Sequence, residues 1–96
     1  MFTIYVSYKC LPGKREEWLR NLKEAGYLDA IRAEEGCIRY DYYLAEKDPD
    51  EVLLIEVWET KAHQQAHMLT PHMALVKQLN GSYVASVKIG EYKLVD

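Results

Sequence analysis

The sequence predicts an α+β protein of the ferredoxin-like βαββαβ type, one antiparallel sheet with its helices on one face. Three observations carry that expectation. Two stretches dense in β-branched and aromatic residues, Cys37–Leu44 and Val52–Trp58, flank a charged turn whose Asp48-Pro49-Asp50 suits a type I geometry, so they form a hairpin. Segments with helical spacing stand before and after that hairpin, and alternating stretches close both ends of the chain. This order is that of the split unit in which helices cover one sheet face.

The first strand alternates Phe2, Ile4, Val6 and Tyr8 against Thr3, Tyr5 and Ser7, and Leu11-Pro12-Gly13-Lys14 stops it. A helix follows with Glu16 and Glu17 in its first turn, where carboxylates suit the positive helix end. Trp18, Leu22 and Ala25, with Leu19, Gly26, Ala30 and Ala33, give its buried stripe; Gly26-Tyr27 is a point for a kink and Gly36 for a left-handed end. After the hairpin, Lys61–Leu69 reads as a short helix facing inward through Ala62, Ala66 and Leu69. Thr70 and Pro71 then suit the N-cap and first turn of another helix, which buries Met73, Val76 and Leu79 and ends at Gly81. Tyr83–Val95 returns to strand, with Gly90 marking a bulge or bend and Tyr92 and Leu94 continuing the apolar positions.

The hairpin faces differ. Ile38, Tyr40, Tyr42 and Leu44 alternate with Cys37, Arg39, Asp41 and Tyr43, but Val52–Trp58 is apolar on both sides. A strand with one wet face alternates cleanly, so both faces of this sheet should be covered. Helices cover one, and a second copy of the chain, joined through the helix-free face in a two-fold dimer, is the natural cover for the other.

A chain of 96 residues makes one domain, residues 1–96, with a modest core. Its net charge of −3 and lack of a Lys/Arg cluster give no footprint for nucleic acid. No apolar run is long enough for a membrane span or a leader, so a cytoplasmic protein is expected. Cys10 and Cys37 lack metal-ligand spacing and are expected as thiols. Phosphate-binding glycine motifs and a nucleophile elbow are absent.

The runs YKCLPGKREEWL, EEGCIRYDYY, EVLLIEVWET and AHMLTPHMALV resemble the antibiotic biosynthesis monooxygenase family over Phe2 to about Tyr92. That resemblance implies a dimeric α+β barrel and, in one branch, cofactor-free quinol monooxygenation. Other branches degrade haem or process a phosphorylated quorum-sensing sugar in isomerase fashion. The haem-degrading branch uses an Asn on the first strand, a Trp on the helix after the third and a His ligand further on. Aligned through Gly13 and Trp58, this chain has Val6, His67 and Lys77 there, so haem degradation is not expected.

The expected activity is a monooxygenase (an oxidoreductase) acting on a quinol or polyphenol-like substrate, with no metal or organic cofactor. Such a substrate needs a base, an apolar pocket and orientation. His67 is the expected base, because imidazole titrates near neutrality. Trp58, Tyr40, Tyr42, His72 and Arg39 are the expected substrate-binding residues, although a Trp ending a central strand more often belongs to a core. Glu59, His63 and His67 share a helical stripe spaced for a metal, but the stripe reads better as a solvated flank. Two alternatives stand beside the monooxygenase: proton transfer by His67 on a small phosphorylated sugar-derived substrate, whose branch of the family the Thr70-Pro71-His72 run resembles, and a small-ligand binder with no chemistry.

Overall fold

The computed structural model describes residues 1–92. Its elements run β1 (Phe2–Cys10), α1 (Arg15–Glu24), α2 (Tyr27–Arg32), β2 (Cys37–Leu44), β3 (Glu51–Trp58), α3 (Lys61–His67), α4 (Pro71–Asn80) and β4 (Val84–Tyr92). The four strands form one sheet in the order β2-β3-β1-β4, every neighbouring pair antiparallel. This is the expected βαββαβ arrangement, with each helical segment broken in two. The positions expected at Leu94 and Val95 lie outside the described residues.

Helices cover one face. Ile4 and Val6 of β1 and Val52, Leu54 and Trp58 of β3 point into a core completed by Trp18, Leu22, Leu28, Ile31, Met73 and Val76. The first helical segment divides at Gly26, which takes φ 80, a left-handed conformation cheap only for glycine. The break resets the buried stripe: Leu28 and Ile31 continue the core, while Ala25 and Ala33, expected within it, are exposed. At the next helix pair Thr70 caps α4, its hydroxyl accepting from the Met73 N–H, with Pro71 in the first turn as expected.

Two expected faces are corrected. In β2 the alternation fails at Ile38, because the β2–β3 register shifts between Cys37 and Arg39. The extra residue is a bulge that turns Ile38 outward and leaves Cys37 on the core side with Tyr40. Leu44, at the other end of β2, is half exposed too. In α3 the residue buried is His67, at 1% exposure, whereas Ala62 and Ala66 are exposed and Leu69 is 86% exposed. A seven-residue helix makes less than two full turns, so two alanines define no face. The imidazole goes inward because partners for it are there.

On the helix-free face Leu53, Ile55 and Val57 form a half-buried stripe. Their cross-strand neighbours are Ser7, Tyr5 and Thr3 on one side and Tyr43, Asp41 and Arg39 on the other. The apolar patch is therefore narrower than the sequence of β3 alone implies. Cys10 and Cys37 are both free thiols. No described helix is long and apolar enough to cross a membrane.

Candidate active site

A cavity of about 220 Å³ lies between the inner sheet face and α3/α4, beside the edge strand β4. Ile4, Val6 and Tyr8 of β1 and Tyr40 of β2 contribute to its walls, with Val87 and Ile89 of β4. Glu56 and His67 bring the chemistry, and Gln64, Lys77 and Asn80 bring further polar groups.

His67 ends α3 and is held from three sides. Its Nδ1 lies 2.9 and 3.1 Å from the two carboxylate oxygens of Glu34, in the bend between α2 and β2. Its ring lies 4.7 Å from that of Trp58 and 5.6 Å, edge-on, from that of Tyr40. A carboxylate only accepts hydrogen bonds, so Nδ1 carries the proton and the neutral ring keeps its lone pair on Nε2. That Nε2 is buried and meets no hydrogen-bond partner among the described residues. Burial pulls the imidazole below its ordinary pKa, opposed by the Glu34 carboxylate, with His72 and Lys77 adding smaller downward pushes.

Glu56 is the second buried titratable group. It stands on the core face of β3 at 4% exposure, and its Oε1 accepts the Trp58 indole N–H at 3.0 Å. Desolvation raises its pKa to about 7, the Trp58 bond opposes the rise and the Glu34 charge adds to it. The same Oε1 lies 4.0 Å from His67 Nε2. A base nitrogen and a carboxyl able to hold a proton near neutrality thus face one another within the cavity lining.

Glu34 also accepts from His72, whose Nε2 lies 2.7 Å from Oε2. Glu34, His67 and His72 are the grouping of metal-capable side chains found among the described residues, their donor atoms within 4.8 Å of one another. Their spacing is that of hydrogen-bonded partners, with both imidazoles directed at one carboxylate. The stripe expected through Glu59, His63 and His67 does not form a set. His67 points inward, while His63 Nδ1 pairs with the Thr60 hydroxyl at 2.7 Å and its ring packs over Gly36, where any Cβ would lie 2.3 Å from it.

Of the residues expected to contact a substrate, Tyr40 shares the cavity lining with His67. Trp58 is fully buried behind them, bound to Glu56 and stacked near His67, and does not line the cavity. Tyr42 packs edge-on to Trp18 and Tyr40 and lines an open groove with Leu19 and Arg32. His72 does not line the cavity; it hydrogen-bonds Glu34 and its charge acts on His67. Arg39 bonds Asp41 and the Tyr43 hydroxyl at the exposed side of β2, away from the cavity. Sequence reasoning missed Glu34 and Glu56. Glu56 had a signal, a lone carboxylate on the strand face that also carries Val52, Leu54 and Trp58. Glu34 had none, being 33 residues from His67 in the chain.

A split βαββαβ sheet with a cavity under its second helix pair, and an imidazole oriented in it by a carboxylate, defines a class of small α+β proteins with a buried titratable pair at a cavity wall. The chain belongs to the antibiotic biosynthesis monooxygenase family, whose model matches residues 1–78. It is 30% identical over 81 residues to the probable quinol monooxygenase YgiN of Escherichia coli K12, a match covering 76% of this chain and 78% of that protein. It is 34% identical over 64 residues to sll1783 of Synechocystis, where the match covers 67% of this chain but only 42% of the relative's length. Among solved structures, PA3566 from Pseudomonas aeruginosa superposes with a TM-score of 0.83 at 28% identity, covering 98% of this chain and 94% of its own.

Proposed function

We propose that the protein is a cofactor-independent monooxygenase acting on a quinol or polyphenol-like small molecule. The observation that carries this reading is the buried, unpartnered Nε2 of His67, which lines the cavity while Glu34 fixes the proton on Nδ1. A neutral imidazole is the form that accepts a phenolic proton, and burial keeps it neutral below the usual histidine range. The quinolate then reduces O₂, forming a C–O bond to a hydroperoxide. Breaking the O–O bond releases water, whose leaving oxygen takes back the proton from His67. Quinol plus O₂ gives a hydroxylated quinone plus water, so no external reductant is required. Tyr40 walls the ring, and Trp58 acts from behind by holding Glu56. Oxygen uptake across a panel of quinols, matched to product mass, tests the reading; no uptake above the uncatalysed rate from any of them would refute it.

One observation favours a second reading. His67 Nε2 and Glu56 Oε1, 4.0 Å apart, suit proton removal and return on a small hydroxycarbonyl, including a phosphorylated sugar-derived one. Oxygen-independent exchange of a substrate C–H with D₂O separates this from oxygenation. Either substrate fits a cytoplasmic protein, and we further propose a homodimer joined through the Leu53-Ile55-Val57 stripe. A single species of monomer mass in light scattering at micromolar concentration would rule the dimer out.

A further inference from the structure

We propose that Lys77 and Asn80 form an anion subsite at the cavity, so that the preferred ligand is a one- or two-ring aromatic acid bearing the hydroxyl that His67 deprotonates. The proposal rests on the base reading of His67 and adds the class of substrate.

Both residues line the cavity and stand three apart on α4, on neighbouring positions of one helix face. Asn80 is oriented by a bond outside the cavity. Its Oδ1 accepts the Trp18 indole N–H at 2.8 Å, leaving the Nδ2 amine with no acceptor among the described residues. Lys77 pairs with no carboxylate among the described residues, and its charge reaches His67, where it helps depress the imidazole. The acids nearby do not neutralise it. Glu34 is turned to the two imidazoles and does not line the cavity. Glu56 holds its proton up to about pH 7. The polar side of the cavity therefore presents a solvent-exposed ammonium and a half-buried amide N–H with no anion among the described residues to meet them, opposite apolar walls that suit an aromatic ring. A carboxylate accepting from both would gain charge-assisted bonds. The volume of about 220 Å³ sets the ligand's size, since drug-sized ligands fill roughly 300–1,000 Å³.

Anaerobic calorimetry below pH 7 tests this with 2,5-dihydroxybenzoate and its neutral isostere 2,5-dihydroxybenzamide. The expected result is about tenfold tighter binding of the acid. Lys77→Met should reduce that preference to within about twofold, and Lys77→Arg should restore it. Asn80→Asp keeps an acceptor for the Trp18 indole while replacing the amine by an oxygen, so it should remove or invert the preference without unfolding the protein. Equal binding of acid and amide by the wild type, or a preference that survives Lys77→Met, would overturn the subsite. Oxygen uptake from hydroquinone, read in parallel, separates the two ideas. Acid-selective binding with no uptake from any quinol supports the subsite and refutes His67 as an oxygenation base; uptake without selectivity refutes the subsite alone.

Discussion

The inner face of the sheet is covered by two helix pairs, and the two halves differ in chemistry. Under α1 and α2 the packing is apolar: Trp18, Leu22, Ile31, Val52 and Leu54 are fully buried among one another. Under α3 and α4 the same face carries Glu56, which meets His67 of α3 across a cavity, and these are the two buried polar side chains among the described residues. An apolar half is a source of stability, at roughly 25 cal/mol for each Å² of apolar surface removed from water. A half that buries a carboxyl and an imidazole without satisfying every polar atom opposes folding. Such a cost persists where the groups have another use, so the first half is read as scaffold and the second as site. Mutations should sort accordingly.

The largest effect is expected at the centre of the second half. His67→Gln keeps a side chain that can reach Glu34 but removes the proposed base, and turnover should fall about 10²–10⁴-fold. Denaturation with urea should show little loss of stability, since the glutamine amide N–H can still donate to Glu34 and its oxygen leaves one buried acceptor unpartnered, as Nε2 is in the wild type. A variant that turns over quinols within a few-fold of wild type would move the base elsewhere.

Leu22→Ala is the converse test in the first half. Leu22 has no exposed surface, and its truncation should cost about 2–5 kcal/mol by urea titration at fixed protein concentration. Turnover per folded molecule should hardly change. Equal losses of stability and of kcat in the folded fraction would erase the distinction between the halves.

How far this division was legible in the sequence depends on the length scale of each signal. The strands and their order follow from alternation and turn chemistry within eight or ten residues, and the Thr70-Pro71 cap follows from two adjacent side chains. His67 was legible as a group able to titrate near neutrality. Its position at the centre of the buried side of α3 was not, because Ala62 and Ala66 look apolar yet gain little from burial in so short a helix. The bulge at Ile38 was hidden for a related reason: one extra residue alters every face before it, and Cys37-Ile38-Arg39 carries no glycine or proline to announce it. Glu34 lies beyond any local pattern, since tertiary folding alone brings it to His67 and His72.

Glu56 gives a smaller effect that depends on pH. Its folded pKa, about 7, lies above the ordinary carboxylate value of 4.5, so the folded state holds a proton that the unfolded state releases. Stability on this account is fully present below pH 4.5 and falls as pH rises through about 7. The difference corresponds to about 3 kcal/mol between those limits. Glu56→Gln keeps an acceptor for the Trp58 indole and cannot ionise, so its stability curve should be flatter across that window. The variant should match wild type at low pH and exceed it above pH 7. A wild-type slope that survives the substitution would assign the titration to another group.

The smallest effect is expected one helical turn from the largest. His63 and His67 share α3, but His63 faces Gly36 and the Thr60 hydroxyl rather than the cavity. In His63→Ala the cap survives, because the Thr60 hydroxyl accepts from the backbone N–H of residue 63, 3.2 Å away, which alanine retains. What is lost is one half-exposed side-chain contact and the packing of a ring over a glycine, against a gain in helix propensity for alanine. Stability should change by no more than about 0.5 kcal/mol, the range of ordinary surface substitutions, and kcat by less than about twofold. A large drop in kcat with stability unchanged would mean that His63 reaches the substrate, and the contrast between the two histidines of α3 would have to be redrawn around the Gly36 turn.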